Sequence, residues 1–211
     1  MMMAMAGPIL DGQLTIVPAN QASWGDLVAI FGTTDYPGLC QCQRFRVPGR
    51  FWRDTSQEQR TAMLREQAAC GDPGAKATCG PAACLDGEPV GRVAVEPRTA
   101  YPGLRTSRVL WSGRNQDKDD DRIWAVTCFV ARKGYRGRAL TDALARAGTG
   151  FARGRGARAL EAYPMLTEPG KEITWGEVHV GARQVFGDAG FEEVGHPTVL
   201  RVVMRIDFPE D

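Results

Sequence analysis

The chain has 211 residues, of which 43% are hydrophobic and 24% charged, as in an ordinary globular protein. These values predict a single domain over residues 1–211, with a loop-rich, cysteine-containing N-terminal part. The net charge of +1 argues against a nucleic-acid partner, because a polyanion-binding surface normally unbalances the charges. We find no apolar run long enough for a membrane helix and no signal-peptide pattern, so we expect a cytoplasmic protein without a membrane partner.

The N-terminal part begins with a predicted strand at Leu14–Val17. Ser23 is placed to cap the helix that follows. Residues 32–54 are rich in Gly, Pro and Cys and have no clear period, which predicts a loop-rich segment. Thr55 with Glu58 fits a capping box before a second helix.

Six cysteines occur in the chain, namely Cys40, Cys42, Cys70, Cys79, Cys84 and Cys128. In a cytoplasmic protein we expect reduced thiols in or near the core. Cys40, Cys42, Cys70 and Cys79 offer four thiolates to zinc, which is the alternative interpretation. Their spacing is not that of common zinc knuckles, so we expect no metal.

The middle of the chain carries a hairpin signature. Ala82–Leu85 and Val90–Glu96 are strand-like, and the turn sequence Asp-Gly-Glu-Pro separates them. Arg108–Trp111 is interpreted as a further strand. Asp117–Asp121 holds four aspartates, which indicates either a solvated acidic loop or a patch that attracts a cationic substrate.

A strand, a basic turn and a helix follow one another in Ile123–Ala152. The first eight residues are uncharged and mostly apolar, as in a strand buried on both faces. The turn at Arg132–Arg138 contains glycine, and the apolar residues after it recur at helical spacing. Backbone N–H groups at the start of such a helix favour an anion, so the stretch predicts a phosphate cradle.

The C-terminal part alternates strands with a helix. Ala159–Tyr163 is a predicted strand, and a polar loop of about 15 residues follows it, a length that is often functional. Val180–Ala189 is a predicted helix, and Phe191–Val194 begins a strand. Leu200–Phe208 alternates apolar with mostly polar residues, as in a half-buried strand. The order of these elements predicts a parallel pair inside a mixed sheet.

These pieces together resemble the Gcn5-related N-acetyltransferase (GNAT) superfamily. The family's Arg/Gln-x-x-Gly-x-Gly/Ala signature falls on Arg136–Thr141. Its Asn-x-x-Ala-x-x-x-Tyr-x-x-x-Gly-Phe pattern falls on His179–Phe191. The resemblance implies an α+β fold: a mixed, mostly antiparallel twisted sheet of six to seven strands with a central splayed parallel pair, flanked by about four helices.

The resemblance also implies a reaction, in which acetyl-CoA donates its acetyl group directly to a primary amine of a small molecule or a protein. In the family, backbone amides of the signature turn hold the pyrophosphate, and the pantetheine arm pairs with the buried strand like an extra strand. The implied coenzyme A-binding residues are Cys128, Phe129, Val130, Arg136, Gly137, Arg138, Ala139, Leu140, Thr141 and His179. The oligomeric state is left undecided between a monomer and a homodimer.

Four residues depart from the family pattern. Ala139 and Thr141 replace glycine-type residues, and a methyl group at Ala139 is tolerable while its φ angle stays negative. Phe186 stands where many members have a tyrosine that protonates the departing thiolate. His179 replaces a common pantetheine-bonding asparagine, and its imidazole can also titrate near neutral pH.

Candidates for the acid–base chemistry lie outside the central strand. Glu161 and Tyr163 are two residues apart and hence on one face of their strand. We interpret Glu161 as the general base and Tyr163 as the acid, with Glu96 and His179 as rivals for the base. The alternative function is a non-catalytic acyl-CoA-binding sensor or interaction module, which the changes at Phe186 and in the signature favour.

Overall fold

A seven-stranded mixed sheet is the centre of the computed structural model, which describes residues 12–32, 35–136, 139–166 and 179–209. Along the sheet the strands lie in the order β1-β2-β3-β4-β5-β7-β6. Their bounds are β1 Leu14–Pro18, β2 Pro81–Leu85, β3 Glu88–Pro97, β4 Ile123–Ala131, β5 Ala159–Ala162, β6 Glu192–Thr198 and β7 Arg201–Asp207. Only β4 and β5 pair in parallel, and all other neighbouring strands are antiparallel. The predicted α+β class and the central parallel pair are confirmed.

Six α-helices are described, where about four were expected. They are α1 Trp24–Phe31, α2 Asp35–Cys40, α3 Gln57–Ala68, α4 Pro102–Arg105, α5 Leu140–Arg153 and α6 Arg183–Asp188. The two unexpected helices, α2 and α4, are short and lie in segments without a helical apolar period. Such helices depend on their packing partners more than on local sequence.

Two of the predicted helix starts can be compared with the structure. Ser23 caps α1 as predicted, through a reciprocal pair of hydrogen bonds with Asp26. The cap of α3 is Ser56 with Gln59, one residue after the predicted pair. Thr55 instead donates its hydroxyl to the carbonyl of Phe51, so its side chain is not available to cap the helix.

The hairpin prediction is confirmed, whereas the strand predicted in the segment after it is not observed. β2 and β3 form the predicted hairpin, with Asp86 and Gly87 at its turn in the left-handed backbone region. The predicted strand at Arg108–Trp111 is wrong, because these residues form turns. There the indole of Trp111 is buried and donates to the carbonyl of Leu104 at 2.8 Å.

Helices cover both faces of the sheet. The amphipathic helix α5 packs on β3 and β4 from one side, and α1 packs on the same two strands. β4 is therefore buried along nearly its whole length, as predicted. In β7 the adjacent Val202 and Val203 are both fully buried and belong to different apolar clusters, so this strand is covered on both faces instead of one. Among the described residues, no helix has the length and apolarity needed to cross a membrane.

Candidate active site

β4 and β5 separate halfway along their length. They pair from Ile123 with Ala159 to Val126 with Ala162, and the ladder ends there. Directly beyond the last pair, the register of β4 against β3 shifts at Thr127, which is an extra residue in β4. Such a bulge bends its strand and breaks the local pairing. The two strands thus open into a gap, the splay, which begins at the centre of the sheet.

The chain's own segment 179–182 lies in the splay. The N–H of Phe129 on β4 donates to the carbonyl of His179 at 2.7 Å. On the other side, Met165 forms an isolated parallel bridge with Ala182. Gly181 between them has φ +87°, and a Cβ placed there would lie 2.9 Å from the Phe129 ring. Segment 179–182 therefore takes the place of a strand between β4 and the continuation of β5.

The signature turn leads from β4 into α5. Arg136, Ala139, Leu140 and Thr141 are described, whereas Gly137 and Arg138 lie outside the described residues. Ala139 is the N-cap residue of α5 and has φ +57°, so the condition of a negative φ, under which its methyl group is tolerable, is not met. Within the described part of the chain, no side chain caps α5, so the first N–H groups of the helix can bond another acceptor.

Phe186 belongs to the core. It is fully buried, and its ring lies 5.7 Å from the ring of Phe129 and 5.2 Å from that of Phe191, measured between centroids. A phenyl ring cannot donate a proton, and the stacking gives Phe186 a packing role.

Glu161 occupies the centre of a buried arginine cluster. Its carboxylate accepts hydrogen bonds from Arg98 at 3.1 Å, Arg114 at 2.5 Å and Arg205 at 3.5 Å. The side chains of Glu161 and Arg98 are 0% exposed, and that of Arg114 is 5% exposed. The hydroxyl of Tyr163 donates to the same carboxylate at 2.9 Å, so the two side chains share one face as predicted.

These contacts lead us to withdraw the interpretation of Glu161 as base and Tyr163 as acid. Three guanidinium groups and one phenol occupy the lone pairs of the carboxylate, which has no exposed surface from which to reach a substrate. Burial, and then the negative charge of Glu161, raises the pKa of Tyr163 well above its usual 10.0. The phenol of Tyr163 therefore stays neutral and keeps its proton, which it donates in the hydrogen bond to Glu161. The pair is part of the structural support of β5.

Glu96 is also engaged. Its carboxylate forms an ion pair with Arg46 and lies 3.4 Å from the hydroxyl of the buried Tyr101. Burial, and then the charge of Glu96, raises the pKa of Tyr101 well above 10.0. The side chain of Glu96 is only 13% exposed, so it too is tied into the core near β4.

A cavity of about 420 Å³, the splay-side cavity, opens beside His179. Its walls come from three parts of the chain: the segment before α3, the segment around α4, and the region of His179 with the start of β7. The residues that line it are Arg44, Phe45, Val47, Gly49, Gly103, Ser107, Val109, Leu110, His179 and Arg201. The imidazole of His179 is mostly buried, and its centroid lies 6.2 Å from that of the Phe45 ring. His179 thus bonds the splay through its backbone carbonyl and is also one of the residues that line the cavity.

The cysteines and the acidic loop take structural positions. The described residues contain no group of three His, Cys, Asp or Glu side chains arranged to hold a metal ion. All six cysteines are free, and burial raises the pKa of the Cys40 thiol to about 11.

In the acidic loop, Asp119 pairs with Arg105 and Asp120 with Arg158. These two aspartates are neutralised by the chain's own arginines.

Solved structures share this arrangement of strands and helices. A GCN5-related N-acetyltransferase from Kribbella flavida superposes with a TM-score of 0.53 at 16% identity, covering 92% of this chain and 98% of that chain. The chain has the GNAT fold. No protein-family model and no curated protein sequence matches it.

Two other GNAT-fold structures superpose with TM-scores of 0.50. One is a ribosomal-protein-alanine N-acetyltransferase from Brucella melitensis, at 16% identity, covering 92% of this chain and 99% of that chain. The other is aminoglycoside acetyltransferase AAC(6')-Ib in complex with coenzyme A, at 14% identity, covering 92% and 95%. At these identities the likeness establishes the fold alone, since one fold supports many functions.

Proposed function

We propose that this protein is an N-acetyltransferase that transfers an acetyl group from acetyl-CoA directly to a primary amine. The observation that carries the proposal is the splay, in which the N–H of Phe129 points into the gap and bonds a backbone carbonyl. A pantetheine arm offers amide carbonyls of the same kind. It can replace the carbonyl of His179 at this N–H, so the exchange retains one hydrogen bond.

The start of α5 fits the pyrophosphate of coenzyme A. The helix has 14 residues, no side-chain cap, and cationic side chains such as Arg132 and Arg136 in the turn before it. Unpaired N–H groups and the positive end of the helix favour a phosphate there. The left-handed Ala139 turns the chain into the helix, as glycine does at such positions.

The thioester supplies an activated acetyl group. Attack by the neutral amine nitrogen forms the amide C–N bond and breaks the C–S bond. The sulfur leaves with that electron pair and takes up the proton that the nitrogen loses, so that free thiol is released. The amine must first lose a proton, since an alkylammonium has a pKa of about 10.4. We assign the removal of this proton to His179, because it is the one imidazole among the described residues that line the cavity beside the splay.

Proton transfer can be tested with the two histidines of the chain. We expect His179→Gln to lower kcat/KM about 100-fold or more in an assay of free thiol release, because it removes the base. His196→Gln is the matched control, because His196 is about half-exposed and pairs with Glu193 on β6. Equal effects of both substitutions would remove His179 from this role.

Donor binding can be tested separately by calorimetry. We expect acetyl-CoA to bind, and a truncated acetyl thioester without the nucleotide and pyrophosphate to bind at least about 100-fold more weakly, because it cannot use the start of α5. Equal affinity for the two thioesters would show that the cradle at α5 is not used.

A non-catalytic acyl-CoA-binding module is the second candidate. It is favoured because Phe186 cannot donate a proton and both Glu96 and Glu161 are held in ion pairs. Binding of acetyl-CoA without transfer to any amine in a broad panel would favour this candidate over the transferase.

A further inference from the structure

The described lining of the splay-side cavity includes two cationic side chains. Arg44 and Arg201 are its cationic lining residues, and no carboxylate is among the lining residues that the structure describes. The other lining residues include four with apolar side chains, namely Phe45, Val47, Val109 and Leu110. Its volume of about 420 Å³ suits a small molecule. Such a lining favours a ligand that combines a negative charge with an apolar part.

The arginine cluster behind the cavity adds to the positive charge of the two lining arginines. Arg114 bonds the carbonyl of Leu110, and Arg201 bonds that of Tyr163, so both connect the cavity wall to the cluster. Among the described residues, Arg98, Arg114 and Arg205 pair with two carboxylates, those of Glu161 and Asp207. One positive charge is left in excess. Because most of the cluster is buried, water screens this excess charge weakly.

We propose that the acceptor is an amine that carries a carboxylate or another anionic group. In the cavity, its anion lies near Arg44 and Arg201 and its amine faces His179. This inference rests on the proposed function and names the substrate class for the same site. It argues against the alternative of a cationic acceptor, since two of the four aspartates of the acidic loop, Asp119 and Asp120, are already paired with arginines.

The first test compares ligands that differ only in the anionic group. L-phenylalanine and L-phenylalaninamide are titrated into the full-length protein in the presence of coenzyme A, and binding is followed by calorimetry. We expect the acid to bind roughly ten- to a hundred-fold more tightly, as for a hydrogen bond to a charged group. Phosphoethanolamine is a second arm that distinguishes a phosphate from a carboxylate. Tighter binding of the amide, or no binding of either anionic amine, overturns the inference.

The second test removes one charge. Arg44→Gln is expected to weaken the binding of L-phenylalanine about ten-fold and to leave that of the amide unchanged. Arg155→Gln is the matched control, because Arg155 also stacks on an aromatic ring, that of Phe151, and does not line the cavity. Equal losses for acid and amide in Arg44→Gln would show that the charge plays no part.

The two proposals can fail separately. If L-phenylalanine binds selectively but no acetyl group is transferred, the anionic site stands and the transferase function fails. If acetyl groups are transferred, but preferentially to polyamines such as spermidine, the transferase function stands and the anionic acceptor is overturned.

Discussion

The two halves of the candidate site offer different groups to a ligand, backbone groups in one half and side chains in the other. The donor half, formed by the splay and the start of α5, presents backbone groups such as the N–H of Phe129. The half around the splay-side cavity presents side chains held by the arginine cluster of Glu161. A backbone site tolerates changes of residue type while its conformation is kept, whereas a side-chain network depends on every member. The two halves should therefore respond very differently to substitution.

The largest effect is expected in the side-chain half. Glu161→Gln removes the negative charge shared by Arg98, Arg114 and Arg205 and leaves buried guanidinium groups uncompensated. We expect the free energy of unfolding, measured with urea, to fall by about 3–5 kcal/mol. Glu193→Gln is the control, because it breaks an exposed pair with Arg183 and should cost about 1 kcal/mol or less. Similar losses in both variants would contradict a central role for the cluster.

In the donor half, Gly181 is expected to be the residue most sensitive to substitution, because of its backbone conformation. Gly181→Ala places a methyl group 2.8 Å from the Phe186 ring at a φ of +87°. We expect a loss of about 1–3 kcal/mol in unfolding free energy from overpacking and strain. Gly187→Ala in α6 is the matched control, since a methyl group there meets no atom within 4 Å and alanine favours a helix. The comparison fails if Gly187→Ala is the more damaging of the two.

Alkaline pH should lower the free energy of unfolding through two buried tyrosines, Tyr101 and Tyr163. The pKa values of Tyr101 and Tyr163 are raised, so the unfolded chain releases these protons near pH 10 while the folded protein retains them. The stabilisation is complete below pH 10 and is lost above it, by up to about 1.4 kcal/mol per pH unit for each tyrosine. Unfolding measured between pH 8 and 11 checks the slope. Tyr163→Phe should reduce that slope, and an unchanged slope would show that Tyr163 does not contribute.

The smallest effect is expected at the start of α5. Ala139→Gly should raise the free energy of unfolding by about 1 kcal/mol, because glycine adopts the φ of +57° without a Cβ penalty. Ala145→Gly within the same helix should instead lower it by about as much, since glycine disfavours a helix interior. A thermal melt of both variants suffices, and a lower melting temperature for Ala139→Gly would contradict the left-handed conformation.

Local patterns in the sequence predicted the donor half well. The apolar run of β4, the basic turn and the apolar period of α5 lie next to each other in the chain, and so do the strands of the hairpin at Asp86-Gly87. The positive φ angle of Ala139 was not foreseen, because alanine ordinarily avoids this region. The filling of the splay by segment 179–182 was not predicted, because the hydrogen bond between Phe129 and His179 joins residues far apart in sequence.

The side-chain half escaped prediction because its contacts are long-range. Glu161 is 63 residues from Arg98 and 44 from Arg205, and no periodicity connects them. One signal was present, since a glutamate inside the apolar strand Ala159–Ala162 needs a buried cation as its partner. A glutamate in this position predicts an arginine near it and disfavours Glu161 as the general base. The sequence does not identify which arginine is the partner.

The hydrogen bond from Phe129 to His179 affects the affinity with which the splay can bind acetyl-CoA. Under the proposed function, segment 179–182 is an internal competitor for the splay. The apparent dissociation constant then equals the intrinsic one divided by the fraction of molecules in which the segment has left. Substitutions that loosen this segment can therefore tighten the binding of acetyl-CoA without touching it, and the strength of the donor site is set partly by the stability of its own occupant.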